Sequence, residues 1–362
     1  MWISDRLNFA PRAGLNGEQA MNLLQRYRQL KADHPKKYAR DLAALLDVSE
    51  AELTHARTAF DAAALRPDFS ALLATLEAVG ETKSITRNAF AVHEQIGRYE
   101  NLHLGGHAGL VLNPRALDQR IFPQRWKSAY ALREETARGE RHSIQIFDAH
   151  GDAVLKIYAT PNTDMAAWQA LIADYRLMET PELEVIPVTP ASVSPQPDSA
   201  AIEQQWRAMT NVHQFFGLLN RHGVSRQQAF RAVPDDLAQR VDNSAPGELL
   251  RQASQDGNEI MIFVGNRGCV QIFTGVVEKP VRRENWLNIF NPTFTLHLMA
   301  DRIAESWITR KPTADGFVTS LELFAADGTQ IAQLFGQRTE GQPEQARWRE
   351  QIAGLTKQGA TV

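Results

Sequence analysis

Ser143-Ile-Gln-Ile-Phe147, followed through Gly151 by Leu155-Lys-Ile-Tyr158, returns 177 positions later as Ser320-Leu-Glu-Leu-Phe324, Gly328 and Ala332-Gln-Leu-Phe335. Both stretches alternate apolar and polar residues about a glycine-containing turn, and a period of two broken by such a turn predicts an antiparallel hairpin in each place. A constant offset held over several landmarks points to a duplicated unit. Two further echoes keep the same order. Gly109-Leu-Val-Leu, with Trp126 17 positions on, is matched to Gly268-Cys-Val-Gln, with Trp286 18 positions on. Val48-Ser49-Glu50 is matched to Val224-Ser225-Arg226, each inside a helical stretch.

The seam of such a duplication should lie near the middle, and composition shifts there. Residues 186–197 hold Pro187, Pro190, Pro195 and Pro197 among small polar side chains, a pattern of extended connector. The expected division is an N-terminal repeat over 21–186, a linker over 187–201 and a C-terminal repeat over 202–358. Residues 1–20, with Pro11, Gly14 and Gly17, are expected to form a flexible extension. Each half runs helices first and strands after. Helical spacing covers 21–79 and 202–256, strands are expected over 84–159 and 260–335, and short closing helices at 163–176 and 343–356. Segregated helices and consecutive strands predict an α+β fold with large antiparallel sheets rather than a doubly wound parallel one.

Composition narrows the class. The chain has 362 residues, 43% hydrophobic and 22% charged, enough for two cores, with a net charge of −3. No long Lys/Arg run is present, so no nucleic-acid partner is expected. One cysteine, Cys269, excludes an intrachain disulfide and suits a reducing compartment; in a strand its expected role is that of a small buried apolar residue. Met1-Trp-Ile-Ser-Asp-Arg6 lacks the apolar stretch of a signal peptide, and no 18-residue apolar run occurs. A cytoplasmic location is expected.

The segment richest in chemistry is Trp206-Arg-Ala-Met209-Thr-Asn-Val-His213-Gln-Phe-Phe216. Trp206, Met209, His213 and Phe216 recur at helical spacing, which places an imidazole at the margin of an apolar face. By spacing alone such a histidine is more often a satisfied core residue than a ligand. A molecule wanting one imidazole and an apolar wall would decide the matter, and haem is one. His93, His103 and His107 fall in a strand-and-loop region without the companion ligands of a zinc site, and Gly105-Gly-His-Ala-Gly109 lacks the spacing of a phosphate-binding loop.

Several long motifs carry a family resemblance. They are Ala91-Val-His-Glu-Gln95, the run from His107 to Asp118, Trp206 through Phe216, the run from Phe263 to Val276, Ser306-Trp-Ile-Thr-Arg-Lys-Pro312, and Gly336-Gln-Arg-Thr-Glu-Gly341. From about residue 21 to about 358 the chain resembles the haemin-degrading HemS/ChuS/HmuS family. The resemblance implies a haem cleft between the two halves, with His213 as the metal ligand and Arg120, in Ala-Leu-Asp-Gln-Arg, on the opposite side of the ring. It implies cofactor contacts from Lys311, Arg338, Phe335 and His93 as well. It also implies cytoplasmic haem degradation with iron release, with electrons from NAD(P)H or a reductase. The alternative is a carrier that passes intact haem on from an inner-membrane importer. A homodimer is compatible with the family. One departure stands out: position 335 is Phe where the family motif leads us to expect Tyr, so any step that relies on that hydroxyl is in doubt here.

Overall fold

The computed structural model describes residues 17–105, 108–137, 139–189, 193, 196–339 and 341–358. His107, most of the 1–20 extension and part of the Pro-rich linker lie outside the described residues. Among those described, the chain forms ten α-helices and eighteen strands. The first part runs α1 (Gly17–Asp33), α2 (Ala39–Leu45), α3 (Glu50–Ala56), β1 (Ala62–Leu65), α4 (Phe69–Thr75), β2 (Gly80–Arg87), β3 (Ala91–Arg98), β4 (Leu102–His103), β5 (Gly109–Leu112), β6 (Asp118–Ile121), β7 (Trp126–Thr136), β8 (Gly139–Asp148), β9 (Ala153–Thr163) and α5 (Met165–Tyr175). The second repeats that order with α6 (Ser199–Arg207), α7 (Gln214–His222), α8 (Arg226–Arg231), β10 (Ala238–Val241), α9 (Ala245–Asp256), β11 (Ile260–Gly265), β12 (Cys269–Gly275), β13 (Pro280–Arg283), β14 (Trp286–Phe290), β15 (Phe294–Met299), β16 (Glu305–Thr313), β17 (Gly316–Phe324), β18 (Gln330–Gly336) and α10 (Ala346–Gln358). Within 21–79 and 202–256, where helices were expected, the short strands β1 and β10 also occur. Positions 17–20 are the first turn of α1, and 199–201 the first turn of α6. No described helix is long and apolar enough to cross a membrane.

Two nine-stranded antiparallel sheets result, in the orders β1-β7-β8-β9-β2-β3-β15-β14-β13 and β10-β16-β17-β18-β11-β12-β6-β5-β4. The second order is the first with every strand replaced by its counterpart. Each half thus builds six strands of one sheet and lends three to the other. β15 pairs with β3 from Phe294↔Gln95 to Leu298↔Ala91, and β12 pairs with β6 from Cys269↔Ile121 to Ile272↔Asp118.

The hairpin echo is physical. Ser143–Phe147 lies in β8 and Ser320–Phe324 in β17, and their turns hold Gly151 and Gly328 at φ +79 and +82. A Cβ at Gly151 would also come within 2.4 Å of Ser49, so left-handed backbone and close approach both demand glycine. Ser49 and Ser225 cap α3 and α8 identically, each accepting from the backbone N–H three residues on while Glu52 or Gln228 reaches back. The Gly109/Gly268 echo is corrected: Gly109 opens β5, whereas Gly268 precedes β12, the counterpart of β3. The turns that do correspond are at Asn88 and Asn266. Asn88 Oδ1 accepts from the N–H groups of Phe90 and Ala91, and Asn266 Oδ1 from those of Gly268 and Cys269. Each amide then crosses to the other half, Asn88 Nδ2 donating to Gly265 O at 3.2 Å and Asn266 Nδ2 to Arg87 O at 2.9 Å.

Alternation decides what each sheet face meets. In the second sheet Ile262, Ile308, Leu321 and Leu334 point to one side, where α9 and α10 bring Leu249, Leu250, Trp348 and Ile352. On the other side of β16 and β17, helices α6–α8 pack Trp206, Phe215 and Phe230 against Trp307 and Phe324.

Candidate functional site

The helix-free remainder of that second face is the candidate site. Met261 and Phe263 of β11, Phe335 of β18, Val270 of β12 and Arg120 of β6 alternate with buried residues and are only half-buried. Register places Phe335 opposite Met261, Phe263 opposite Ile272, Ile272 opposite Asp118, and Val270 opposite Arg120. Phe263 and Phe335 meet edge to face with centroids 5.1 Å apart. The apolar strip therefore runs from Phe335 to Arg120 over three strand spacings, about 14 Å. At its end the Arg120 side chain is 35% exposed, and Nη1 donates to Asp118 Oδ1 at 3.2 Å. Burial pushes the Asp118 carboxyl above the usual range, and Arg120 opposes that rise.

His213 stands at the other side, on the helical layer that covers β16 and β17. The continuous helix expected over Trp206–Phe216 is corrected: α6 stops at Arg207 and α7 begins at Gln214. Side chains cause the break. Asn211 Oδ1 accepts from the His213 N–H at 2.9 Å, and Gln214 Oε1 accepts from the N–H groups of Thr210 and Asn211, so these donors never seek helical carbonyls. Trp206 and Met209 are buried, but the residue that joins them in the core is Phe215; Phe216 is 69% exposed. His213, at the N-cap of α7, is exposed rather than at the edge of a packed stripe, and its ring bonds to no other described residue. Ala314 N–H donates to Thr210 O at 2.9 Å, fastening this loop to the β16–β17 turn. A recess of about 300 Å³ lies there, lined by residues including Asn211, Val212, Thr313, Asp315 and Arg338. Arg338 is thus brought to the loop that carries His213.

Two expected contacts are placed elsewhere. Lys311 was expected to face a cleft, yet its ammonium is buried, donates to Thr309 and to Glu322 Oε1 at 2.8 Å, and lies over the rings of Trp206, Phe215 and Phe230. It fastens α6–α8 to the sheet. Burial alone would raise Glu322, but Arg226 and Lys311 more than reverse this and hold its carboxyl down to about 2. His93 points between the two sheets. It is fully buried against Phe294, neither ring nitrogen bonds to a described group, and burial pushes the ring down to about 3. A direct contact with a ligand on the open face is not available to it in this geometry. Cys269 is buried, accepts from Thr86 Oγ1 at 3.3 Å, and is pushed up to about 12 by burial. Sequence reasoning passed over Asp118, although it stands two residues before Arg120 and so on the same strand face, and did not single out Phe263.

The site therefore offers one uncommitted imidazole on the helical layer, beside an aromatic strip and an arginine on a sheet fed by both halves. Comparison with known proteins agrees with this architecture. The haemin-degrading HemS.ChuX domain model matches twice, over residues 47–175 and 223–355. The hemin transport protein HmuS of Yersinia pestis is 64% identical over 335 residues, 92% of this chain and 97% of that one. The hemin transport protein HemS of Yersinia enterocolitica is 63% identical over the same shares. Among solved structures, the heme degrading enzyme ChuS of Escherichia coli O157:H7 superposes with a TM-score of 0.89 at 61% identity, covering 93% of this chain and 99% of that one. Holo-PhuS, a heme-binding protein from Pseudomonas aeruginosa, superposes with a TM-score of 0.90 at 41% identity over the same shares. With its α+β repeats, exchanged strands and twofold match to one domain model, the chain belongs to the haemin-degrading HemS/ChuX-domain family.

Proposed function

We propose that the chain binds haem on the open face of the second sheet and degrades it, with His213 as the iron ligand and Arg120 across the ring. The observation that carries this reading is the exposed, uncommitted imidazole of His213 on the helical layer that packs on the same sheet face as Phe263, Phe335 and Arg120. The residues suit the ligand: a flat apolar macrocycle needs an aromatic wall, iron takes a neutral imidazole, and the propionates attract a cation such as Arg338. Bound haem supplies redox-active iron, and the chain's own part is to position and screen it. His213 would hold the iron, Phe263 and Phe335 would exclude water from the ring, and Arg120 would offer a charge-assisted donor from its end of the strip. Phe335 offers no hydroxyl, so a hydrogen bond on this face would come from Arg120 or solvent, and a proton from solvent. Electrons would come from NAD(P)H or a reductase, and haem from an inner-membrane importer, which puts the work in the cytoplasm. Degradation is supported by the ChuS structure, described as a heme degrading enzyme at 61% identity.

The second reading, a carrier of intact haem, is favoured by the names of HmuS and HemS as transport proteins. Both readings need His213. Titration of the His213→Ala variant should show haem binding lost or greatly weakened with a changed Soret band, and a wild-type band and affinity would refute the ligand assignment. Product analysis of the haem complex with reductant, with and without catalase, separates the readings. Ring opening that survives catalase supports degradation, and intact haem under every reductant supports carriage.

A further inference from the structure

We infer that Asp118 is a specificity-determining residue of this face: it neutralises Arg120 and so makes the iron's far side discriminate against anions. The inference rests on the reading that Arg120 lies across the ring from His213. Asp118 is 3% exposed, yet its carboxylate sits on the ligand-facing side of β6 and accepts from Arg120 Nη1 at 3.2 Å. Burying a carboxylate beside a half-exposed arginine is a poor way to gain stability, because the desolvation cost offsets the attraction. The fold itself does not require the pair. The first sheet builds the same two places on β15, where Thr295 and His297 pair with Glu94 and Val92 of β3 just as Asp118 and Arg120 pair with Ile272 and Val270 of β12. One sheet manages with threonine and histidine; the sheet whose face carries His213 has carboxylate and guanidinium. What the pair adds is electrostatic. A lone guanidinium would draw hydroxide, halide or any small anion to the sixth position of ferric iron and hold it there. With Asp118 ionised, the same N–H groups face the ring as part of a neutral pair, and a neutral ligand competes on better terms.

The test uses the full chain loaded with haem, azide as the anionic probe and carbon monoxide, on the reduced complex, as the neutral one. Asp118→Asn should raise azide affinity about fivefold or more, the scale of one partly screened unit charge nearby, and change carbon monoxide affinity less than twofold. Asp118→Thr, which installs the residue the first sheet already accommodates, should act in the same direction and guards against a folding defect peculiar to one variant. The pH of the water-to-hydroxide spectral transition should fall in both. Azide affinity unchanged or lowered in both variants, or equal changes for azide and carbon monoxide, would overturn the inference. Arg120→Ala is the control for the underlying reading. If it binds azide as the wild type does, Arg120 is not beside the sixth position and both statements fall; if it binds azide more weakly while the Asp118 variants are silent, only the inference does.

Discussion

Glu322→Gln probes the clamp beneath the helices that carry His213. The wild-type carboxylate is fully buried and accepts on both oxygens: from Lys311, Ser320 and Thr309 on Oε1, and from Arg226, Gln330 and Gln333 on Oε2. A glutamine amide turns one of those acceptors into a donor facing donors, and strands the Lys311 ammonium among three aromatic rings. Removing one partner of a buried pair costs roughly 3–5 kcal/mol. The depression of Glu322 from 4.5 to about 2 corresponds to roughly 3–4 kcal/mol at neutral pH, each unit being worth about 1.4. Lys311 is itself pulled below its ordinary value, burial outweighing Glu322. The lysine's desolvation subtracts from what the carboxylate gains, so the lower end, about 3 kcal/mol, is expected. Because the folded carboxyl is depressed, its stabilisation is present above pH 4.5 and fades as pH falls toward 2. Urea unfolding of the ligand-free chain at pH 7 should show the loss, and the wild-type advantage should shrink as pH falls below 4.5. Haem affinity should drop too, since α6–α8 would open locally before the sheet does. A Glu322→Gln chain within 1 kcal/mol of wild type at pH 7 would refute the clamp.

Two other expectations follow from the same geometry. Arg120→Ala should keep haem bound but slow catalase-resistant turnover by about 10²–10³, the usual size of losing one donor aimed at developing charge, and Arg120→Lys should restore it only in part because a point charge lacks the planar fork; equal turnover by wild type and Arg120→Ala at saturating haem would remove the residue from the mechanism. Limited proteolysis should cut within 187–198 before it cuts either repeat, and the nicked halves should still elute together under native conditions because each lends three strands to the other's sheet; early cuts within 260–335, or separation of the fragments, would contradict the proposed division.

What the sequence determined by itself is local or long. The β8–β9 and β17–β18 hairpins could be read from alternation about Gly151 and Gly328, since side-chain period and turn glycines act over a few residues. The paired serine caps of α3 and α8 fell within the Val-Ser echo for the same reason. The family was legible because its motifs run through almost the whole chain, and His213 and Arg120 came with them. Tertiary structure decided the rest. Which strand β3 and β12 take as neighbours depends on faces buried hundreds of residues apart in sequence, so the exchange of β4–β6 for β13–β15 left no local mark, and the Gly109/Gly268 echo paired strands that do not correspond. Helical spacing around His213 misled because Asn211 and Gln214 take backbone donors with their side chains, a competition that periodicity does not register. Lys311 looked like a cleft cation until packing showed its ammonium held by Glu322 under three rings, and His93 until the sheets closed over it. Charge and residue type are properties of the chain, but whether a charged group meets a ligand or a buried partner is set by which face of which sheet it occupies and by what lies on top.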